Sequence, residues 1–100
     1  MNPVHADDTD APADLAELAR ASRVVIFASN LTDTRALVNR LAHAGIDYRE
    51  VTMGMGSASE RERFHRLREW TGWPLLPQVF VDGAFAGGAE EARERLERRT

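Results

Sequence analysis

The sequence predicts a single α/β domain, in which a four-stranded mixed sheet carries helices on both faces. Residues 23–28 form an apolar run without polar alternation, which is typical of a central strand covered on both sides. A helix-periodic segment and a second strand follow, so these two strands should pair in parallel through a right-handed crossover. The Asp82-Gly83 dipeptide between two short apolar segments adds an antiparallel hairpin.

The first half of the chain supplies three elements. A short helix is predicted over residues 12–20, because its leucines and alanines recur on one face. After the strand at 23–28 comes a polar break in which Thr32 and Asp33 are candidate N-caps. The helix that follows should end at Gly45, a residue suited to a left-handed C-cap.

The second half begins with a strand over residues 46–52 and a flexible connector over residues 53–56. Residues 59–62 fit a capping box and predict a helix that runs to about Thr71. A strand over residues 78–81 and its return strand then lead into a final helix.

That final helix starts at about Ala89, after a pair of glycines, and is strongly charged with Ala92 and Leu96 facing inward. Residues 1–12 are acidic, contain two prolines and predict a disordered acidic tail ahead of a domain at 13–100. The start of the chain lacks the basic and apolar segments of a secretory signal, and no run is long enough to span a membrane, so we expect a cytoplasmic location without membrane association.

The charge distribution argues against nucleic acid as a partner. The net charge is −3, and five of the 16 acidic residues precede Arg20, the first basic one. The remaining 11 acidic residues are nearly balanced by 13 arginines, whereas a nucleic-acid footprint needs a dominant basic face.

The 100 residues contain no cysteine. Disulfide exchange, a thiolate nucleophile and a cysteine-ligated iron–sulfur cluster are therefore outside the chemistry that this chain supplies. No metal site is expected, because His5, His43 and His65 are not at ligand spacings.

Several motifs in the second half resemble the glutaredoxins, over about residues 14–96. They are the stretch Trp73-Pro74-Leu75-Leu76-Pro77-Gln78, the apolar strand and Asp-Gly turn after it, and the Gly87-Gly88 pair. The Trp-Pro pair and the leading helix look most like the monothiol branch. The resemblance implies a thioredoxin-like (glutaredoxin) fold and a cis bond between Leu76 and Pro77.

The resemblance also places the former redox motif after the first strand. Thr32 stands at the nucleophile position and Arg35 at the position of the resolving cysteine. Because a hydroxyl without an adjacent base is a poor nucleophile, no catalytic residue is predicted, and Thr32 is interpreted foremost as an N-cap.

Glutathione recognition in the family implies three further features, of which two are altered. Ser29 replaces a lysine, and Ala89 with Glu90 replaces a Ser/Cys-Asp pair. The Leu76-Pro77 frame for backbone pairing remains. Weak glutathione binding stays compatible with these residues, and no other cofactor is expected.

The candidate groove combines these positions with an apolar rim, since Leu75 and Leu76, if exposed beside Leu31 and Trp73, would form a patch and otherwise would pack normally. Its predicted lining is Ser29, Leu31, Thr32, Trp73, Leu76, Pro77, Gly88, Ala89 and Glu90.

The sequence leaves competing functions open. The first hypothesis is a redox-inactive glutaredoxin-like domain that acts as an adaptor and binds an unidentified protein or peptide through this groove. The alternative is a glutathione-binding transferase or lyase that uses the Thr32 hydroxyl in place of the cysteine. A structural role, for example as half of a homodimer, is also compatible with the sequence.

Overall fold

A computed structural model describes residues 13–98, which form four helices and four strands. In chain order these are α1 (Ala13–Ala19), β1 (Val24–Ala28), α2 (Arg35–Ala44), β2 (Tyr48–Thr52), α3 (Ala58–Thr71), β3 (Gln78–Val81), β4 (Ala84–Gly87) and α4 (Ala89–Arg98). The predicted order of helices and strands is confirmed. The predicted acidic tail at residues 1–12 lies outside the described residues. Within residues 13–98, no helix combines the length and the apolar character needed to cross a membrane.

The four strands form one mixed sheet in the order β2-β1-β3-β4. β1 is parallel to β2 and antiparallel to β3, and β3 is antiparallel to β4. The crossover through α2 and the hairpin are therefore as predicted. Asp82 and Gly83 both have positive φ, 53° and 82°, as a two-residue hairpin turn of the primed type requires.

Every residue of β1 is buried, because helices cover both faces of the sheet. Alternate residues of β1 enter two separate cores: Ile26 faces α2 and α4, and Phe27 faces α1 and α3. The first core contains Val24, Ile26, Ala28, Leu37, Leu41, Val79, Val81, Ala92 and Leu96. The second contains Leu15, Ala19, Val25, Phe27, Met53, Leu67 and Phe80.

Two local predictions in the β2–α3 connection are wrong. Met53, assigned to a flexible connector, is buried in the second core, and its N–H donates to the Ala28 carbonyl at 2.7 Å. The capping box begins at Ser57 rather than Ser59, since the Ser57 hydroxyl accepts from the Glu60 N–H at 3.2 Å. Ser57 has extended backbone angles, whereas Ser59 already lies inside α3.

Candidate functional site

The sheet topology brings three loops to one end of the molecule. Phe27 pairs with Gln78, so the loop after β1 and the loop before β3 leave the sheet at the same end. Val79 pairs with Gly87, which places the start of α4 at that end too. The predicted groove residues all lie on these three segments.

The loop after β1 is a closed turn built on two hydroxyl side chains. The Thr32 N–H donates to the Ser29 carbonyl at 3.1 Å, and the Ser29 N–H donates to the Thr32 hydroxyl at 3.2 Å. The two hydroxyls also share a hydrogen bond of 2.9 Å, and the Leu31 N–H donates to the Ser29 hydroxyl. The Thr32 oxygen is thus engaged within its own turn.

The prediction that Thr32 or Asp33 is the N-cap of α2 is wrong. α2 begins at Arg35 with Thr34 as its N-cap residue, and the Thr34 side chain makes no capping hydrogen bond. The Thr34 hydroxyl instead donates to Glu50 Oε2 at 2.6 Å, which links this loop to β2. The turn at Ser29–Thr32 lengthens the connection, so the helix starts later than the polar residues suggest.

Arg35, which the resemblance predicts to stand in place of the resolving cysteine, is paired with its neighbour Asp33. Its Nε and Nη2 donate to the two Asp33 carboxylate oxygens at 3.0 Å each, and its backbone N–H donates to Oδ1 at 3.1 Å. These hydrogen bonds and the guanidinium charge lower the pKa of Asp33 to about 2. The pair is solvent-exposed and nearly neutral as a unit.

The loop that carries Trp73 is fixed by a buried polar network. Gln78 is fully buried, and its Nε2 donates to the Trp73 carbonyl at 2.7 Å. The Thr71 hydroxyl donates to Gln78 Oε1 at 2.8 Å and accepts from the Trp73 N–H at 3.2 Å. Both backbone polar groups of Trp73 are therefore satisfied from inside the domain.

The Trp73 ring forms one wall where the last two loops meet. It packs edge-on against Phe85, with ring centroids 5.8 Å apart. A Cβ atom placed on Gly88 would lie 3.6 Å from Cζ2 of Trp73 and 3.7 Å from the Pro77 carbonyl oxygen. Trp73, Pro77 and Gly88 are therefore neighbours, as the groove prediction requires, and the Leu76–Pro77 peptide bond is cis.

The start of α4 carries a carboxylate of its own. Glu91 Oε1 accepts a hydrogen bond from the Gly88 N–H at 3.2 Å. Glu90 points elsewhere, since it is paired with Arg93 one turn along the helix. Ala89 packs against the first core. Neither Ala89 nor Glu90, the two residues predicted at this position, therefore contacts the N–H groups at the start of the helix with its side chain.

The apolar rim has a different membership from the one predicted. The side chains of Leu31 and Leu75 are 97% and 67% exposed, on the loops before α2 and β3. Leu76 instead packs on the second core. The rim is therefore Leu31, Leu75 and the half-buried Trp73.

Sequence reasoning missed Glu91, Thr71 and the buried role of Gln78. The role of Glu91 could have been predicted from the sequence. It lies three residues after Gly88, the residue before the helix, and this is the spacing of a capping box. The bonds from Thr71 and Gln78 to the backbone of Trp73 follow from the turn after α3, which composition does not reveal. Within residues 13–98 no group of three or more potential ligand side chains could hold a metal ion.

Comparison with known proteins supports the resemblance seen in the sequence. No family model matches the chain. Probable monothiol glutaredoxin 2 of Rickettsia conorii is 32% identical over 59 residues, which cover 59% of this chain and 49% of that protein. A glutaredoxin-like protein of Dictyostelium discoideum is 27% identical over 97 residues, covering 96% and 76%. The chain thus matches about half the length of the first relative and about three quarters of the second.

Solved structures agree on the architecture. The crystal structure of the holo form of glutaredoxin C1 from Populus tremula x tremuloides has a TM-score of 0.70 at 26% identity, covering 92% of this chain and 89% of that one. A buckwheat glutaredoxin–glutathione complex has a TM-score of 0.71 at 19% identity, covering 87% and 79%, which shows the fold alone. The predicted resemblance and the thioredoxin-like fold are confirmed.

Proposed function

We propose that this chain, which resembles the glutaredoxins in sequence and has their fold, is a redox-inactive adaptor that binds a protein partner through the former active-site groove. The partner supplies an extended segment with apolar side chains. The single observation that carries the proposal is the exposure of Leu31 and Leu75 on two loops that leave the sheet at the same end. The cytoplasmic location expected from the sequence is part of the proposal.

Leu31 and Leu75 are the two most exposed large apolar side chains of residues 13–98. An apolar side chain that is left in water forgoes a burial free energy of about 1.5–3 kcal/mol, which contact with a partner recovers. Trp73, on the same loop as Leu75, supplies an aromatic surface beside the start of α4. Such an arrangement is typical of an interface anchor.

The backbone of Leu76 offers the directional part of recognition. Within residues 13–98, its N–H and C=O take part in none of the hydrogen bonds found. An extended segment can pair with both groups in the manner of an added strand. Backbone pairing at Leu76 and side-chain contacts with Leu31, Leu75 and Trp73 would then act on the same ligand.

The proposal is tested by selecting binding peptides from a random peptide library against the whole chain, followed by measurement of their affinities. We expect Leu31→Asp and Leu75→Asp each to weaken binding about tenfold or more, because each places a charge where an apolar contact forms. Tyr48→Ser is the matched control. Tyr48 is also exposed and apolar, but it pairs with Val24 at the opposite end of β1.

Thermal unfolding of each variant establishes that the fold is retained. Leu31 and Leu75 are better probes than Leu76, whose packing on the second core makes a charge there damaging to stability. Peptides that bind both rim variants as tightly as the unmodified chain contradict the proposal, as does a selection that yields no peptide.

The alternative, a transferase or lyase that binds glutathione, has weaker support. The Thr32 hydroxyl would have to hydrogen-bond the glutathione thiolate, yet it is engaged with Ser29. Among residues 13–98, no carboxylate or imidazole is hydrogen-bonded to it as a base. Transfer of glutathione to an electrophile by the unmodified chain, lost in Thr32→Val, would favour this function over the adaptor.

A further inference from the structure

We propose that Glu91 determines the ligand specificity of the groove, by excluding ligands that bring a carboxylate to the start of α4. The inference rests on the proposed function and refines it. The segment that binds is then not the C-terminus of the partner. Its residues near the start of α4 are neutral or basic. Glutathione and free peptide C-termini are disfavoured.

The Glu91 side chain is held in place by two kinds of contact. Its Oε1 accepts from the Gly88 N–H at 3.2 Å. Its methylene carbons lie over Gly87, where an added Cβ would come within 2.9 Å of the Glu91 Cβ and 3.2 Å of its Cγ. The carboxylate is therefore directed back at the helix start instead of outward along α4.

This helix start borders the groove. The Gly88 position is in contact range of the Trp73 ring and of the Pro77 carbonyl oxygen. A ligand that lies on Trp73 and pairs with Leu76 thus approaches the Glu91 carboxylate. Any charged group at that end of the ligand experiences its field.

The electrostatics of the helix start are reversed by this side chain. Free N–H groups at a helix N-terminus attract an anion, and here the chain supplies that anion itself. Within the described part of the chain, no arginine or histidine forms an ion pair with Glu91. Arg93, the arginine closest to Glu91 in the sequence, is paired with Glu90 and Glu97 instead. A second carboxylate would therefore meet a negative charge that no ion pair within residues 13–98 offsets.

The test compares two probes on three variants of the whole chain. The probes are glutathione and its diester, whose carboxyl groups are both neutral. Glu91→Gln keeps an oxygen for the Gly88 N–H and removes the charge, and Glu91→Ala removes both. Glu94→Gln is the matched control, because it removes one negative charge from an exposed position of the same helix.

Affinities are measured by following amide resonances of Leu76 and Ala89 during titration. We expect Glu91→Gln and Glu91→Ala to bind glutathione about three- to tenfold more tightly than the unmodified chain. The diester should not bind the two Glu91 variants more tightly, because the charge that it keeps is an ammonium group, and Glu94→Gln should change neither probe by more than about twofold. The gain for glutathione should shrink between about 0.01 M and about 1 M salt, over which the screening length falls from about 30 Å to about 3 Å.

The inference is overturned if Glu91→Gln leaves glutathione affinity unchanged, or if the diester gains as much as the acid. The second outcome would mean that Glu91 acts by its volume and not by its charge. Neither result bears on the adaptor role, which is decided separately by peptide binding to the Leu31 and Leu75 variants.

Discussion

At the level of single residues, Gln78 shows how a buried polar group can shape a surface. It is the buried polar residue of the described chain, with no exposed area, and it bonds both the Trp73 carbonyl and the Thr71 hydroxyl. A buried amide without partners would be costly, so these bonds also fix where the Trp73 loop can lie.

We expect Gln78→Leu to lower the free energy of unfolding by about 1–3 kcal/mol, because the Trp73 carbonyl loses its partner. Urea unfolding measures the loss. Thr71→Val should be destabilising as well, and the double variant should cost less than the two single changes together, since they break one network. Strict additivity of the two changes would contradict the network.

The ion pair between Arg35 and Asp33 sets a pH dependence that can be observed at one residue. The hydrogen bonds from Arg35 hold the pKa of Asp33 at about 2. A lowered pKa means that the pair stabilises the fold above about pH 4, the ordinary range for Asp, and that this contribution is lost as the pH falls toward 2.

Carboxyl ¹³C titration by NMR should find Asp33 near this value. In Arg35→Ala the pKa of Asp33 should rise toward about 3.9. Asp14, whose pKa is lowered chiefly by its hydrogen bond with Arg66, serves as an internal control and should not move. An unchanged pKa of Asp33 in the variant would mean that Arg35 is not its cause.

At the level of elements, the start of α3 depends on one serine out of two. Ser57 caps the helix, and Glu60 reaches back to the Gly56 N–H at 3.0 Å and to the Ser57 hydroxyl at 3.3 Å. Ser59 is the second residue of the helix, where alanine is intrinsically favourable, and its hydroxyl shares an exposed hydrogen bond of 3.2 Å with Ser57.

We therefore expect Ser57→Ala to cost about 1 kcal/mol of stability and Ser59→Ala less than about 0.5 kcal/mol. Chemical unfolding of the two variants side by side measures the difference. Equal losses of stability, or a larger loss for Ser59→Ala, would mean that Ser59 is the N-cap, as the sequence spacing predicts.

The same element shows what the sequence could and could not predict. The helices and strands follow from local periodicity, from the Asp82-Gly83 turn and from the glycines that end helices, so their order is predictable. Two serines two residues apart offer nearly equivalent caps, and only the path of the incoming chain decides between them. The burial of Met53 has the same origin, because its N–H bonds to Ala28 at the end of a neighbouring strand.

The candidate site was predictable to the extent that a resemblance supplied it. Trp73, Pro77 and Gly88 were placed together by their motifs, and the structure brings them into contact range. Both Leu75 and Leu76 were candidates for the rim, and which of them is exposed depends on which side of one short loop faces the core. Tertiary packing decides which leucine is buried, and the sequence of two adjacent leucines does not predict it.

At the level of the whole molecule, the sheet separates two cores that touch the same strand from opposite sides. Ile26 belongs to the core beneath α2 and α4. Phe27 belongs to the other, where its ring meets Phe80 with centroids 5.6 Å apart in an edge-on arrangement. Neighbours along the chain are thus in different cores, and residues far apart in sequence share one.

Double-mutant cycles should reflect this division. Ile26→Val and Phe27→Leu should be additive to within about 0.5 kcal/mol, although the residues are adjacent in sequence. Phe27→Leu with Phe80→Leu should instead show a coupling of about 0.5–1.5 kcal/mol, because the two rings are in contact. Urea unfolding of the five variants measures both, and strong coupling across the sheet would mean that the cores do not act independently.

The anchoring of Trp73 from within the domain has a kinetic consequence for whatever binds beside it. Its N–H and C=O are already bonded to Thr71 and Gln78, so we expect this wall of the candidate groove to keep its shape when a partner binds. Association should then proceed in one step, with an observed rate that rises linearly with peptide concentration and a rate constant of about 10⁵–10⁷ M⁻¹s⁻¹. Partners of different affinity would then differ mainly in their dissociation rate constants.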